Sequence, residues 1–235
     1  MKCLNKYFLF FFPVLHLNCY LQAQQTHKIK YKMEYQQADA DRIKRTSGDS
    51  IFNIHVLPHD EVFNGNRAEI LIKFKNENDH TYVYDWSFKI SGKYVQSDSI
   101  KNHFIIAQWW NGPAKGQAMS DIKGKQGPPF HFTVVKKKET LYLQVYYGLQ
   151  GKNKKKQTEF KIETGKWYHV KSTVYWSIND DGFADIHIND STYHFTGANK
   201  YNDAGTDFKL GLYRNIDNND TTEISLKHIA VYEKN

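Results

Sequence analysis

The sequence predicts an all-β protein: two antiparallel sheets packed as a sandwich, most simply a β-jelly roll. From Ile51 onward, apolar and polar residues alternate almost everywhere, which is the period of half-buried strands. About a dozen such short segments are separated by turn signals, and none has the pattern of a convincing helix. Many short strands without helices form two sheets that face each other. No repeat of fixed period appears, which argues against a propeller or a solenoid.

The first 23 residues have the layout of a secretory signal peptide. Two lysines precede an apolar run from Tyr7 to about Leu17, and the small residue Ala23 then precedes the predicted cleavage point. This apolar run is shorter than a membrane-spanning helix requires, and no later segment has an apolar run of the required length. The sequence therefore predicts a secreted or periplasmic protein with no membrane span.

Both cysteines, Cys3 and Cys19, lie inside this segment, so the mature chain would contain none. A lipoprotein anchored through Cys19 fits less well, because Asn18 stands where a small residue is expected. Disulfides and thiolate chemistry are thereby excluded, and the mature protein must be held together by its core. The mature length, 235 minus 23 or 212 residues, suits one all-β domain, which we expect to be a monomer.

The predicted elements follow in order along the chain. Residues 24–50 are polar and weakly patterned, and we expect a loop and a first strand region there, with the segment 39–50 on the surface. The jelly-roll domain is expected over residues 51–235. Apolar and polar residues alternate with a period close to two in its strand candidates, which are AEILIKF, TYVYDWSFKI, FIIAQWW, FHFTVV, TLYLQVYY, EFKIE, WYHVKSTVYWSI, FADIHIN, STYHF, DFKLGLY and TEISLKHIAVYE. FADIHIN and STYHF are predicted to form a hairpin that turns at residues 189–191.

Arg67 and Glu69 lie on the face of the first candidate strand that is opposite to its apolar stripe. An isolated pair of this kind is ordinarily a surface ion pair. The functional interpretation is an arginine fork that binds a substrate carboxylate and is oriented by Glu69.

Gln108 and Trp110 end the strand FIIAQWW, where alternation predicts one face shared with Phe104 and Ile106, and the opposite face for Trp109. A buried glutamine needs partners for its carbonyl and its NH2 group, whereas a glutamine in a cleft can offer both to a ligand. The strand alone does not decide between these two interpretations.

Lys209, Gly211 and Tyr213 form one row on the strand DFKLGLY, while Leu210 and Leu212 point into the core. The row spans roughly 13 Å, and the glycine leaves room for a ligand to lie against the backbone. The ordinary interpretation is a strand with a solvated lysine and a half-buried tyrosine.

In this order, the three stretches resemble the jelly-roll polysaccharide lyases of concanavalin-A-like fold, which include alginate-lyase, glucuronan-lyase and heparin-lyase-I types. Those lyases have an R-x-E strand, a Q-x-H strand and a K-x-G-x-Y strand on a concave sheet, and the resemblance covers roughly residues 50–235. It implies an exported enzyme that cleaves a uronic-acid-containing anionic polysaccharide by β-elimination. One position differs from this pattern: Trp110 stands where the group has a histidine. That histidine is commonly assigned as a base or as a group that neutralises the substrate carboxylate.

The resemblance also implies roles for the matching residues. Gln108 and Arg67 would stabilise the charge that develops when the C5 proton beside the uronate carboxylate is removed. Tyr213 would remove that proton, with Lys209 or Arg67 as the nearby cation that favours its phenolate form. The same tyrosine would return the proton to the leaving oxygen. Lys209, Trp110 and Glu69 would bind substrate, with Trp110 as a stacking platform for a sugar ring.

His131, on the strand FHFTVV, is the first candidate to replace the missing histidine, ahead of His59 and His103. Its side chain is predicted on the face opposite to the apolar stripe. A single histidine on a strand is more often an ordinary surface or packed residue.

The main alternative function is a non-catalytic carbohydrate-binding jelly roll, which Trp110 favours. A glycoside hydrolase would need two closely spaced carboxylates on one strand face, and the sequence has no such run. No close group of histidine and acidic residues predicts a zinc site, so no metal and no cofactor is expected; a structural calcium at Asp217 and Asp220 is left open. The net charge of +7, or +5 without Lys2 and Lys6, suits an anionic partner or simple solubility, and the export signal argues against nucleic acid.

Overall fold

The computed structural model describes residues 26–234, except for positions 47, 49, 64, 76–79, 92–102, 123–125, 151–155 and 218–219. The predicted signal peptide lies outside the described residues. The strands, in chain order, are β1 (Thr26–Lys28), β2 (Lys32–Gln37), β3 (Ile43–Arg45), β4 (Phe52–Val56), β5 (Asn66–Lys73), β6 (Thr81–Ile90), β7 (Phe104–Asn111), β8 (Phe130–Lys137), β9 (Thr140–Tyr147), β10 (Lys156–Ile162), β11 (Tyr168–Tyr175), β12 (Phe183–Ile188), β13 (Ser191–Thr196), β14 (Thr206–Arg214) and β15 (Thr222–Lys234). One short helix, α1 (Met119–Ile122), accompanies them in the described part, where no helix is long and apolar enough to cross a membrane.

Two antiparallel sheets face each other, so the predicted fold class is confirmed. The site sheet, as we call it, has the strand order β10-β9-β8-β7-β14-β5-β2. The back sheet has the order β13-β12-β11-β6-β15-β4-β3, and β1 pairs with β15. The predicted hairpin is present, since Ile188 pairs with Ser191 across a turn formed by Asn189 and Asp190.

The core between the sheets is built largely from aromatic rings. Trp109 lies in its middle, with its ring stacked between Phe130 at a centroid distance of 4.3 Å and Phe208 at 4.6 Å. Trp86 and Phe132 are also fully buried and meet edge to face. Each such side chain contributes about 1.5–3 kcal/mol by leaving water, so the core alone can hold a chain without disulfides.

Three strands lie within residues 24–50, where the sequence predicts only a loop and a first strand region. β3 falls inside the segment 39–50 that is predicted to be a surface loop, so that part of the prediction is wrong. β2 is the edge strand of the site sheet and pairs with β5. Edge strands are commonly polar and only partly buried, and for this reason the alternation in this segment is weak.

β7 departs from the predicted alternation at Ile106. The pairing of β7 with β8 shifts between Ile105 and Ala107, as expected when one strand carries an extra residue. Phe104 and Ile106 are therefore both buried in the core, and Ile105 takes the outward position instead. The predicted shared face of Phe104, Ile106 and Gln108 is wrong, because a bulge moves the first half of the strand by one residue.

Candidate active site

The predicted site residues lie on four adjacent strands, β5, β14, β7 and β8, on the face of the site sheet that points away from the core. Strand register arranges them in three rows across the sheet. The Tyr213 row contains Arg67, Tyr213 and Ile105; the Gln108 row contains Lys209, Gln108 and His131; the Trp110 row contains Asp207 and Trp110. Glu69 and Gly211 form a cross-strand pair between the first two rows.

In the Tyr213 row, the Arg67 guanidinium carbon lies 4.1 Å from the centroid of the Tyr213 ring. Of the two cations proposed for Tyr213, the structure brings Arg67 against it. Lys209 lies four residues earlier on β14, which is roughly 13 Å away along the strand. Gly65 makes room for the ring, because a Cβ atom at position 65 would lie 2.2 Å from Cε2 of Tyr213. In the described part of the chain the Tyr213 hydroxyl has no hydrogen-bond partner. A cavity beside it is lined by His103, Ile105, Tyr213, Arg214 and Asn215.

Glu69 is a buried carboxylate between the rows, with 1% of its surface exposed. The Gln108 side-chain nitrogen donates to its Oε1 at 2.6 Å, and an Arg67 nitrogen lies 3.2 Å from its Oε2. Burial raises the pKa of the Glu69 carboxyl, although the charges of Arg67 and Lys209 and the Gln108 hydrogen bond oppose this. Glu69 therefore orients both Arg67 and Gln108, and one amide hydrogen of Gln108 remains for another acceptor.

Replacing Glu69 with glutamine is expected to change how the free energy of unfolding depends on pH. Because burial raises the pKa of Glu69 in the folded protein, its contribution to stability is full below the ordinary value of 4.5 and is lost as pH rises through the folded-state pKa. The stability of the wild type relative to the Glu69→Gln variant should therefore fall as the pH rises above 4.5 and through the raised pKa of Glu69. Urea unfolding of both proteins across that range measures the difference, and parallel profiles would contradict the prediction.

The Gln108 row continues from Lys209 to His131 on β8. Burial lowers the pKa of the Lys209 ammonium, and the Glu69 charge opposes that effect. The His131 ring stacks on Tyr146, with a centroid distance of 4.6 Å and an interplanar angle of 6°. Its Nδ1 lies 3.2 Å from the carbonyl oxygen of Pro128, which can only accept, so Nδ1 carries the hydrogen. In the neutral ring, Nε2 is then the basic nitrogen.

Of the three candidate histidines, His131 alone lies on a strand of the site face. His103 lies just before β7 and lines the cavity beside Tyr213. His131 pairs with Gln108, further along the sheet from Tyr213, so His103 is the nearer of the two histidines to the Tyr213 hydroxyl. His59 lies in a turn before β5, with a positive φ of 67°.

Sequence reasoning missed two parts of this face. Asp207 lies directly opposite Trp110 and on the same face as Lys209, two residues earlier on β14. Tyr146 donates from its hydroxyl to Gln144 at 2.9 Å, and Gln144 donates to Glu159 at 2.8 Å, which extends the polar face to β10. Both were visible in the sequence, because each lies at a two-residue spacing opposite an apolar stripe. No group of three or more histidine, cysteine or acidic side chains in the described ranges is placed to hold a metal ion.

Solved structures with this fold include several lyases. An endo-β-1,4-glucuronan lyase from the fungus Trichoderma reesei matches with a TM-score of 0.58 and 14% identity, over 90% of this chain and 91% of that one. An alginate lyase from Pseudomonas aeruginosa matches with a TM-score of 0.58 and 14% identity, over 82% and 86% of the two chains. A marine alginate lyase from Zobellia galactanivorans matches with a TM-score of 0.59 and 11% identity, over 83% and 81%.

At these identities the structural matches show a common fold and nothing finer. No curated protein sequence matches the chain at a significant level. The family model described as polysaccharide lyase, however, matches residues 18–228, which is most of the chain. The predicted resemblance is confirmed, and this protein belongs to the polysaccharide lyase family.

Proposed function

We propose that the protein is an exported lyase that cleaves a uronic-acid-containing, anionic polysaccharide by β-elimination. The observation that supports this most is the contact of Tyr213 with Arg67, on the same sheet face as Gln108. A base, a cation against the base and a donor for the substrate carboxylate thus lie on one face of the site sheet.

β-Elimination removes the C5 proton beside a carboxylate anion, so a second negative charge develops there. The remaining amide hydrogen of Gln108 can donate to that carboxylate, and the Lys209 ammonium lies beside it in the same row. Glu69 holds the Gln108 amide through the 2.6 Å hydrogen bond, so the donor is oriented before the substrate binds. The interactions of both donors with the carboxylate become stronger as the charge develops. Because they stabilise the transition state more than the bound substrate, they lower the activation barrier for proton removal.

Tyr213 is the proposed base. Its phenolate takes the C5 proton, the C–H electron pair forms the C4–C5 double bond, and the C4–O bond breaks. The proton then passes from the phenol to the leaving oxygen, which restores the phenolate and leaves one unsaturated sugar at the new chain end. Arg67 supports this cycle, because its positive charge lies against the ring that carries the negative charge.

The histidine that other lyases of this group have beside the glutamine is replaced by Trp110. In the proposed scheme its neutralising role passes to Lys209 and to His131, which flank Gln108 on the two adjacent strands. Trp110 then serves as a surface on which a sugar ring stacks.

The proposal is tested by mixing the purified mature protein with alginate, glucuronan, heparin-like and ulvan-like polymers and following the ultraviolet absorbance of the unsaturated product. A rise in absorbance with at least one polymer is expected. Absence of product on every polymer, with binding retained, would favour the alternative, a non-catalytic carbohydrate-binding protein in which Trp110 has replaced a required histidine. Export is tested separately by N-terminal sequencing of the secreted protein, which should begin at Gln24.

Trp110→Ala is expected to raise KM by about 5–10-fold while changing kcat by less than about threefold. Stacking of a sugar on an indole contributes about 1–1.4 kcal/mol, which is a five- to tenfold change in affinity. The ring does not touch the reacting atoms in the proposed scheme. Product formation at a series of substrate concentrations measures both constants. Trp167→Ala is the matched control, because that indole lies against Lys227 on the back sheet. A large loss of kcat with unchanged KM in Trp110→Ala would show that Trp110 acts on the chemical step instead.

A further inference from the structure

Asp207 is a carboxylate on the face of the site sheet that carries Lys209 and Trp110, and the proposed mechanism does not use it. It is half-buried, and with the residues that the structure describes it forms neither a hydrogen bond nor an ion pair. The nearby ammonium of Lys73 is paired with Glu34 at 2.9 Å. Burial raises the pKa of the Asp207 carboxyl, while Lys209 and Lys73 oppose this. Since a carboxylate only accepts hydrogen bonds, Asp207 offers acceptor oxygens that a ligand with donor groups can satisfy.

Trp110 lies directly opposite Asp207 on the neighbouring strand and is also half-buried. The Lys209 ammonium lies over the indole, 5.8 Å from the ring centroid. The remaining indole surface provides an apolar contact, and the carboxylate provides an acceptor beside it. This pair of groups suits an uncharged sugar, whose C–H face can pack on the ring and whose hydroxyl or amide hydrogens can reach the carboxylate.

A second uronate would be a poor occupant of this position. Its carboxylate would face the Asp207 carboxylate in a partly desolvated site, where repulsion between like charges is stronger than in water. Lys209 does not remove the problem, because it lies between Glu69 and Asp207 and is shared by both carboxylates. The Trp110 row is also two residues from the Gln108 row, about 7 Å along the strands, so it meets a neighbouring sugar and not the uronate held at Gln108.

Building on the proposed lyase function, we propose that Trp110 and Asp207 form a subsite for an uncharged sugar. The substrate is then a heteropolymer in which the cleaved uronate adjoins an uncharged sugar, such as an N-acetylated hexosamine, and not a homopolymer of uronates. This separates the protein by substrate class from lyases that act on glucuronan or alginate.

The first test compares two polymers that share glucuronate. Hyaluronan alternates glucuronate with an N-acetylated sugar, whereas glucuronan contains glucuronate alone. The expected result is a kcat/KM per uronate at least about tenfold higher on hyaluronan, measured by the absorbance of the unsaturated product. Equal or faster cleavage of glucuronan would overturn the subsite proposal and leave the lyase proposal intact. If neither of these two polymers gives product, calorimetric binding decides the subsite: tighter binding of hyaluronan supports it, and equal, weaker or absent binding overturns it. The lyase proposal fails only if the wider polymer panel gives no product either.

The second test neutralises Asp207. In Asp207→Asn the preference between the two polymers, taken from kcat/KM or from the dissociation constants, should fall by about tenfold, because the repulsion of a second uronate is removed. Asp185→Asn is the matched control, since it makes the same change on the outer face of the back sheet, where Asp185 pairs with His194. An unchanged preference in Asp207→Asn would overturn the assignment of Asp207.

Discussion

Tyr213→Phe is expected to lower kcat by about 10²–10⁴-fold, which is the usual contribution of a positioned acid–base group. The substitution removes only the hydroxyl, so the ring should keep its place between Gly65 and Arg67. Little loss of stability is expected, because the hydroxyl has no hydrogen-bond partner within the described ranges. The measurement is the initial rate of unsaturated-product formation at saturating polymer, with circular dichroism to show that the fold is intact.

Tyr146→Phe is the matched control for this experiment. Tyr146 lies on the same sheet face, its hydroxyl donates to Gln144, and a phenylalanine there keeps the stacking on His131. Its rate should stay within about threefold of the wild type, since the hydroxyl has no role in the proposed proton transfer. Full activity in Tyr213→Phe would exclude Tyr213 as the base and direct attention to His103 and His131, each of which can then be replaced by alanine.

The sequence predicted the parts of the site that depend on local alternation. The strand β14 shows this best, because a spacing of two residues places Lys209, Gly211 and Tyr213 on one face whatever the strand pairs with. The turn at Asn189 was equally predictable, since it lies between two alternating segments. Residue type and spacing therefore gave the faces of the strands and the order of the motifs.

The rows of the site could not be predicted, because they depend on which strands become neighbours. β14 lies between β5 and β7, although it follows both by about a hundred residues or more, and only this insertion brings Tyr213 against Arg67 and Lys209 beside Gln108. Alternation carries no information about such pairing. Alternation also fails at the bulge near Ile106. One extra residue there places the side chains of the preceding part of β7 on the opposite faces from those that alternation predicts.

Gly211→Ala is expected to destabilise the protein by roughly 2–5 kcal/mol, as the sum of backbone strain and steric overlap. Gly211 has a φ of 143°, in a region that residues with a side chain rarely adopt. An added Cβ would lie 2.3 Å from the carbonyl oxygen of Ala68 and 2.8 Å from the Cα of Glu69. These are backbone atoms of the paired strand β5, so relief requires the two strands to move apart. Urea unfolding followed by circular dichroism measures the loss.

Gly165→Ala separates the two causes of this effect. Gly165 also has a positive φ, 78°, but an added Cβ there meets no atom within 4 Å. It should therefore cost only the conformational strain, about 1–2 kcal/mol. Equal losses in the two variants would show that the close approach of β14 to β5 contributes nothing. If the prediction holds, the Gly211→Ala protein that remains folded should also lose activity, because the strand that moves carries Glu69, and Glu69 orients Gln108.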